Sequence, residues 1–329
     1  MSVVVTGASG HIGANLIRFL CSQGLRVRAL AYKDKRAFNG IDIDVFPADI
    51  LDLVSLKYAF SSMEVVYHLA AHISLSNRDA GLMHSINVEG TKNVIKACRF
   101  AGIRRLVHFS SIHALASKLK GELINENVPL AEKYNSTPYD WTKVLAEKLV
   151  LEAVSEGLDA VIVNPTAVIG PHDYKLSYMG KFLLSLYQRS LKALVKGGFN
   201  WVDARDVAAG ARSAELKGKS GERYILGGTW LSLKELAVMV EEITGRRTAQ
   251  CAFPMWLARA GVPFSVILSR ISRKKTLYSG QSLKALRYHQ NISLKKALLQ
   301  LDYQPRPIHE TLKDTFEWFH MKGFISDME

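Results

Sequence analysis

A serine, a tyrosine and a lysine near the middle of the sequence have the side chains needed to move a proton to or from a carbonyl oxygen. Tyr139 and Lys143 are four positions apart in a helical pattern, so that their side chains share one face. A lysine ammonium there favours the phenolate and so brings down a tyrosine pKa of about 10. Ser111 follows a strand pattern, where its hydroxyl can stabilise negative charge on a substrate carbonyl. We therefore predict Ser111, Tyr139 and Lys143 as the catalytic residues.

A glycine-rich turn near the start of the sequence has the pattern of a phosphate-binding site. Gly7-Ala8-Ser9-Gly10-His11-Ile12-Gly13 follows a strand pattern and opens a helical one. Glycine permits a tight turn with bare backbone N–H groups, and the helix N-terminus adds a dipole that favours an anion. This context favours a dinucleotide over the alternative, a turn without a ligand. The residues predicted to contact the dinucleotide here are Gly7, Ser9, Gly10, His11, Ile12 and Gly13.

The end of the second strand pattern decides which dinucleotide is expected. An NAD site usually offers a carboxylate to the ribose 2′-OH there, whereas an NADP site offers cations to a 2′-phosphate. After the strand the sequence reads Tyr32-Lys33-Asp34-Lys35-Arg36, with three cations, and the strand itself contains no acid. We favour NADP(H), with Tyr32 and Lys33 as contacts. Asp34 keeps NAD(H) open, because a small shift of register would bring it to the ribose.

The elements that must hold these residues alternate between strands and helices through the first half of the chain. Short β-branched runs and longer amphipathic segments follow one another, which is typical of a parallel sheet covered by helices on both faces. The predicted strands are Val3–Thr6, Leu25–Leu30, Ile43–Phe46, Val65–Leu69, Leu106–Ser110 and Ala160–Asn164. The predicted helices are Ile12–Ser22, with Gly24 as its C-cap, Ser55–Ser61, Ser85–Ala101 and Tyr139–Ser155.

After about Gly170 the alternation fades, and the sequence predicts a second, smaller region. Its elements are the helices Lys181–Lys192 and Leu233–Ile243 and a strand at Arg223–Leu226. We predict an α/β protein with a Rossmann-type doubly wound parallel sheet. The dinucleotide-binding domain is expected to comprise 1–165, with 200–228 returning to it, and the substrate-binding domain 166–199 and 229–329.

Composition excludes several classes of protein. With 329 residues, 48% of them hydrophobic, the chain can bury one large core or two modest ones. Its three cysteines are too far apart to indicate a zinc site or a disulfide framework, so no metal is predicted. A strand pattern that begins at Val3 leaves no room for a signal peptide, and the apolar stretch 251–268 is interrupted by Pro254, Arg259 and Pro263. We predict a soluble, cytoplasmic protein.

The formal net charge of +13 is unevenly placed. The stretch from Ile243 to Leu301 holds eleven lysines and arginines and no acid. Such a block is typical of a protein that meets an anionic or amphipathic substrate, a membrane surface or a nucleic acid, or of a solvated face without a partner. No aromatic-interleaved groove, recognition helix or zinc finger accompanies it. We therefore predict no nucleic-acid partner, whereas contact with a membrane surface stays open.

Several motifs, in order along about two thirds of the chain, resemble those of the extended short-chain dehydrogenases/reductases. Thr6 to Gly13 is similar to the family's Thr-Gly-x-x-Gly-x-x-Gly signature, and Ser111, Tyr139 and Lys143 match its catalytic serine and Tyr-x-x-x-Lys pair. Further similar segments are Asp49 near the adenine, His68-Leu69-Ala70-Ala71 beside the cofactor, Asn87-Val88-Glu89-Gly90-Thr91, Asn164-Pro165 flanking the nicotinamide, Gly170-Pro171 and Val202 to Ala208.

The resemblance implies hydride transfer between a nicotinamide cofactor and a carbonyl or alcohol group. It also implies that Lys143 holds the nicotinamide ribose while it acts on Tyr139. The cofactor contacts that it implies are Asp49, Ile50, Leu69, Ala70, Ala71, Asn87, Tyr139, Lys143, Pro165 and Val168.

Within this family the sequence is more similar to dihydroflavonol reductases than to nucleotide-sugar epimerases. Gly198 to Asp203 resembles the reductase form of that strand. The epimerases usually carry an aromatic residue and a glycine soon after the catalytic serine, where this sequence has Ile112-His113-Ala114-Leu115. We predict an NADP(H)-dependent oxidoreductase, monomeric or homodimeric, that acts on a small-molecule ketone, aldehyde or alcohol. The alternatives are a nucleotide-sugar epimerase or dehydratase with tightly bound NAD, and a cofactor-binding scaffold without turnover.

Overall fold

The computed structural model describes residues 1–31, 34–116, 122–191, 193–249, 251–254, 286 and 290–326. The strands in these ranges are β1 (Ser2–Thr6), β2 (Arg26–Ala31), β3 (Asp44–Pro47), β4 (Val65–His68), β5 (Arg105–Phe109), β6 (Leu123–Ile124), β7 (Ala160–Pro165), β8 (Ala167–Ile169), β9 (Leu194–Val195), β10 (Gly198–Asp203), β11 (Arg223–Leu226), β12 (Thr229–Ser232), β13 (Ala252–Phe253) and β14 (Asn291–Ile292). The α-helices are α1 (His11–Ser22), α2 (Leu53–Phe60), α3 (Ala80–His84), α4 (Gly90–Ala101), α5 (Pro138–Ser155), α6 (Tyr178–Tyr187), α7 (Ala204–Lys217), α8 (Leu233–Thr244), α9 (Lys295–Leu301) and α10 (Ile308–Met321).

Seven parallel strands form the central sheet, in the order β11-β7-β5-β4-β1-β2-β3. Every strand predicted in the first half of the chain is present, and the seventh is the one predicted at Arg223–Leu226. The order reverses between β1 and β4, which leaves a crevice at the carboxyl edge of the sheet. The prediction of a Rossmann-type doubly wound α/β fold is confirmed.

Alternate residues of the strands feed two hydrophobic clusters, one on each face of the sheet. Val3 and Val5 of β1 pack in a cluster that includes residues of α1 and α7, whereas Val4 packs in a cluster with residues of α2, α4 and α5. Successive side chains of a strand point to opposite faces, so a strand covered on both sides is apolar throughout. This explains the unbroken run of valines that leads into the glycine-rich turn.

The first turn of α5 is fixed by a capping box. Thr137 Oγ1 accepts from the Asp140 backbone N–H at 3.2 Å, and Asp140 Oδ2 accepts from the Thr137 N–H at 3.0 Å. Pro138 occupies the first helical position, where its missing N–H costs no hydrogen bond. The backbone on either side of Tyr139 is therefore fixed by the two hydrogen bonds between Thr137 and Asp140.

Some predicted helix ends differ from the structure, because local hydrogen bonds set them. Gln23 is the C-cap residue of α1, and Gly24 follows it with a φ of 72°. The helix predicted over Lys181–Lys192 is α6, which begins earlier because the Ser177 hydroxyl accepts from the Gly180 N–H at 3.0 Å. It ends at Tyr187, before a residue with a φ of 55° that a continuing helix does not allow.

A further hydrophobic cluster lies in the later part of the chain, around the three-stranded sheet β12-β10-β8. Its members include the buried Trp201 of β10, residues of α6 and α8, and the buried Phe316 and Phe319 of α10. Within this small sheet β10 is parallel to β8 and antiparallel to β12. The division into a dinucleotide-binding and a substrate-binding domain stays a prediction.

Some predicted features lie outside the described residues. They are Tyr32, Lys33 and most of the acid-free stretch from Ile243 to Leu301. In the part of the chain that the structure describes, no helix is both long and apolar enough to cross a membrane. The same residues contain no group of three or more His, Cys, Asp or Glu side chains arranged to hold a metal ion.

Candidate active site

The three predicted catalytic side chains lie at the carboxyl edge of the sheet. Ser111 follows β5 and caps the short turn Ile112–Ala114, with its Oγ accepting from the His113 N–H at 3.2 Å. Tyr139 lies in the first turn of α5 and Lys143 one turn later. The Ser111 hydroxyl is close enough to the phenol of Tyr139 to affect its pKa. The rings of His113 and Tyr139 meet edge to face, with centroids 6.3 Å apart.

Lys143 is buried beneath this edge and is held by the neighbouring strand. Its Nζ donates to the carbonyl oxygen of Phe109 at 2.8 Å. Burial lowers the pKa of Lys143 to about 8, and the negative charge of Glu147, one turn further along α5, opposes this fall. At neutral pH the side chain is therefore a buried ammonium that releases its proton more readily than a lysine in water.

The pKa of Tyr139 is shifted in the direction opposite to the predicted one. Burial of the phenol raises this pKa, the Ser111 hydroxyl lowers it, and the charge of Asp140 raises it again. Lys143 does not reverse the shift, because its ammonium is directed to a main-chain carbonyl. The prediction that the lysine brings the tyrosine pKa down is thus wrong for this structure. The phenol is protonated at neutral pH, which is the state that a proton donor needs.

A buried carboxylate that no motif marked lies behind the predicted catalytic residues. Glu147 Oε2 accepts from Ser110 Oγ at 2.5 Å and from Asn164 Nδ2 at 3.2 Å. Its Oε1 is 2.9 Å from Nε of Arg223, in β11. Asn164 Nδ2 also donates to the main-chain carbonyl oxygen of Ser111 at 3.0 Å. One carboxylate therefore ties α5 to β7, to β11 and to the Ser110-Ser111 turn that follows β5.

Asn87 joins α5 to the segment that follows β4. It lies in a π-helical turn, Ser85–Glu89, which interrupts the helix predicted over Ser85–Ala101. Its Oδ1 accepts from the His72 N–H at 2.7 Å, and its Nδ2 donates to the His72 carbonyl oxygen at 3.0 Å and to Thr142 Oγ1 at 2.9 Å. These hydrogen bonds engage both the oxygen and the nitrogen of the Asn87 side-chain amide. The predicted contact of Asn87 with a cofactor stays a prediction.

Two buried histidines under the same edge are neutral. His68 of β4 is held between the hydroxyls of Thr6, 2.8 Å from its Nδ1, and Thr91, 3.0 Å from its Nε2. Burial lowers the pKa of His68 to about 3, and the charge of Lys143 acts in the same direction. Burial also lowers the pKa of His108, on the neighbouring strand, well below its usual range. Both imidazole rings are therefore uncharged near neutral pH. Through its two hydrogen bonds, His68 links β1 to α4.

The glycine-rich turn has the shape that a bound pyrophosphate requires. Gly7 has a φ of 69°, and a Cβ there would lie 2.6 Å from the backbone N of Ala70. A Cβ at Gly13 would lie 2.3 Å from the Gly7 carbonyl oxygen. At Gly10, the N-cap residue of α1, a Cβ would meet only that same oxygen, at 3.2 Å. The turn is thus closed towards the protein and open beside Gly10, and its helix has no side-chain cap, which fits a phosphate.

This turn is fastened to a segment from the second half of the chain. His11 Nε2 is 3.1 Å from the carbonyl oxygens of both Gly170 and Pro171. Two turns further along α1, Arg18 donates to the Tyr174 hydroxyl at 2.9 Å and its guanidinium lies over the tyrosine ring. The glycine-rich turn and the segment after β8 are therefore held together by the same helix.

The predicted adenine-side residues follow β3 and are held by main-chain contacts. Asp49 Oδ1 accepts from the Leu51 N–H at 2.9 Å. Ile50 lies against Gly90, where a Cβ would be 2.6 Å from the isoleucine Cδ1. Asn93 Nδ2 donates to the Ile50 carbonyl oxygen at 3.1 Å. The glycine of the Asn-x-x-Gly-Thr segment thus lets α4 approach this loop.

Asp34, the residue that keeps NAD(H) open, is engaged by an arginine. The Nε and Nη2 atoms of Arg36 donate to its two carboxylate oxygens at 3.1 and 2.8 Å. The hydrogen bonds from Arg36 lower the pKa of Asp34 to about 2. The carboxylate is therefore ionised and already bound across both oxygens.

The remaining predicted cofactor contacts are Leu69, Ala70 and Ala71 after β4, Pro165 at the end of β7, and Val168 in β8 of the three-stranded sheet. The N–H groups of Leu69 and Ala70 donate to the main-chain oxygen and the Oγ1 of Thr6, at 3.2 Å each. The start of this segment is thereby fixed beside the glycine-rich turn. Contact of these residues with a cofactor stays a prediction.

Several classes of enzyme use a nucleotide-binding sheet of this kind. A serine after β5 opposite a Tyr-x-x-x-Lys pair on α5 defines one of them, the extended short-chain dehydrogenases/reductases. Residues 3–227 match the family described as the NAD dependent epimerase/dehydratase family. The chain belongs to this family, as its motifs indicated.

Known proteins are similar to the chain over nearly its whole length. It is 32% identical to "Sterol demethylase protein B" of Methylococcus capsulatus, over 99% of the chain and 100% of that protein. It is 33% identical to a "Putative dihydroflavonol 4-reductase" of Synechocystis sp., over 98% of the chain and 95% of that protein. Among solved structures, the chain is similar to the one described as "Crystal structure of gox2253". The two sequences are 30% identical, the TM-score is 0.87, and 99% of each chain is covered. The similarity thus extends through the second half, where the sequence shows few motifs.

Proposed function

We propose that this protein is an NADP(H)-dependent oxidoreductase that transfers a hydride to a ketone or aldehyde, or from the corresponding alcohol. The observation that carries the proposal is the convergence of Ser111, Tyr139 and Lys143 at the sheet edge that also bears the glycine-rich turn. Membership of a family described as NAD dependent supports a nicotinamide dinucleotide. A relative named as a reductase supports reduction over epimerisation.

Each of the three side chains has its own task in the proposed reaction. A bound nicotinamide supplies or accepts the hydride at the carbonyl carbon. Tyr139, which burial keeps protonated, gives its proton to the carbonyl oxygen. The Ser111 hydroxyl donates a hydrogen bond to the same oxygen and stabilises negative charge on it. The buried ammonium of Lys143, one turn further along α5, holds the nicotinamide ribose.

NADP(H) is the form of the dinucleotide that we propose. An NAD site needs a free carboxylate for the ribose 2′-OH, whereas cations favour a 2′-phosphate. Arg36 holds the carboxylate of Asp34, and Lys35 adds a cation beyond β2. This region thus offers positive charge and a carboxylate that is already bound.

Titration of the protein with NADPH and NADH, followed by carbonyl compounds of graded size, tests the proposal. We expect NADPH to bind more tightly and to be oxidised in proportion to the carbonyl reduced. A nucleotide-sugar epimerase would instead retain NAD through purification and consume no dinucleotide. A scaffold would bind dinucleotide and reduce no carbonyl. Either of these results would reject the proposed function.

The lowered pKa of Lys143 leads to a specific pH dependence. Its positive charge is present below a pH of about 8 and is lost as the pH rises through that value. Tyr139 stays protonated over this range because burial raises its pKa. The kcat/KM for reduction, which reports the free enzyme, should therefore be level below this point and fall about tenfold per pH unit above it. A profile that stays level two units higher would contradict the role of Lys143.

A further inference from the structure

A lysine from the second half of the chain lies on the glycine-rich turn. Lys175, between β8 and α6, donates from its Nζ to Ser9 Oγ at 2.9 Å. Its side chain is exposed, and it directly follows the segment that His11 and Arg18 hold against α1. The contacts of His11 and Arg18 with this segment therefore hold the backbone of Lys175 beside the turn.

The end of α1 beside this lysine disfavours a cation and favours an anion. The N-terminus of a helix carries a partial positive charge, which repels an ammonium. Gly10 caps α1 without a side chain, and the first turn of this helix contains no acid. The hydrogen-bond acceptor that Lys175 reaches is a neutral hydroxyl. Two positive features thus converge on the open side of the turn.

The charge of Lys175 also reaches the end of β2. It lowers the pKa of Asp34, after the larger effect of the hydrogen bonds from Arg36. The turn follows β1, and Asp34 follows the adjacent parallel strand, so the two flank the path from a pyrophosphate to an adenosine ribose. The charge of Lys175 thus acts both on the turn and on the segment after β2.

We propose that Lys175 binds the adenosine 2′-phosphate and so selects NADP(H) over NAD(H). This assignment rests on the proposed function and adds a residue that the sequence motifs do not include. Arg36 pairs with Asp34, whereas the ammonium of Lys175 donates to a neutral hydroxyl and can also face a phosphate. The Ser9 hydroxyl beside it can donate to the same phosphate.

Equilibrium binding separates phosphate recognition from turnover. The Kd values of NADPH and NADH are measured by nucleotide fluorescence for the unmodified protein, Lys175→Met and Lys313→Met. Lys313 is an exposed lysine of α10 that faces Glu317 one turn away, so its substitution removes the same charge far along the chain. We expect Lys175→Met to weaken NADPH binding about tenfold or more, the size of a hydrogen bond to a charged group, and NADH binding by less than about twofold. Lys313→Met should change neither.

The outcomes that would overturn the assignment differ from those that reject the proposed function. Equal losses for NADPH and NADH would indicate a contact with the pyrophosphate, and an unchanged Kd for NADPH would indicate no contact. Lys175→Arg, which keeps the charge, should keep the preference for NADPH, and a loss in that variant would also overturn the assignment. Thermal unfolding should be unchanged in both variants because the side chain is exposed. Failure of the unmodified protein to bind either nucleotide would reject the proposed function itself.

Discussion

Replacement of Tyr139 by phenylalanine is expected to reduce kcat/KM for carbonyl reduction by about 10³-fold, within the range that general acid catalysis supplies. The variant keeps the ring, and with it the packing beside His113, and loses the hydroxyl that donates the proton. The remaining rate should come from the placement of the hydride donor and the hydrogen bond from Ser111. NADPH oxidation with the best carbonyl compound measures the loss, and a fluorescence titration in parallel should show a much smaller change in the Kd for NADPH.

Tyr134→Phe is the matched control for this variant. Tyr134 precedes α5 and is 80% exposed, so its substitution removes a hydroxyl that faces the solvent and lies outside the proposed site. This control should keep full activity. Normal turnover of Tyr139→Phe would reject the role of the phenol as the acid. A loss of NADPH binding as large as the loss of turnover would point to a disturbed site.

The second large effect is expected for Glu147→Gln, which removes a buried charge and keeps the shape. Glu147 is fully buried, and its partner Arg223 is mostly buried, so the variant leaves a guanidinium without its counter-ion. Breaking a buried pair from one side costs about 3–5 kcal/mol, and we expect the free energy of unfolding in urea to fall by about 3 kcal/mol. The substitution also removes the charge that supports the ammonium of Lys143. The pH above which reduction declines should therefore move below about 8.

Glu215→Gln separates these two effects. Glu215 of α7 is also fully buried and pairs with Arg104 and Arg212, near the amino edge of the sheet and away from the site. This variant should lose stability to a similar extent and leave the pH profile of reduction in place. A profile that stays unmoved in Glu147→Gln, or that moves equally in both variants, would show that Glu147 does not act through Lys143.

The fold could be predicted because its central strands are buried on both faces. A run such as Val3-Val4-Val5 is apolar throughout, and the glycine-rich turn that follows leaves few other arrangements. Helix ends were harder to predict, because single hydrogen bonds decide them. The start of α6 depends on the Ser177 hydroxyl, and its end is followed by a left-handed residue, neither of which periodicity reveals.

The meeting of the proposed catalytic side chains could be predicted from spacing, but their electrostatics could not. Tyr139 and Lys143 share a helix face, yet the pKa of the phenol follows its burial, which depends on the whole fold. Glu147 continues the same four-residue spacing along α5, which was the local signal for it. Its importance comes from Arg223, a partner distant in sequence. Lys175 carried no such signal, because its contact with the turn arises from tertiary structure alone.

The imidazole of His11 reaches carbonyl oxygens 159 and 160 positions later in the chain. A polypeptide that ended before them would retain the glycine-rich turn but would lack the acceptors that orient this ring. The unit formed by the turn and these acceptors is therefore discontinuous in sequence, and it is assembled from two stretches that meet only after folding. A ribosome must synthesise more than half of the chain before that unit can exist.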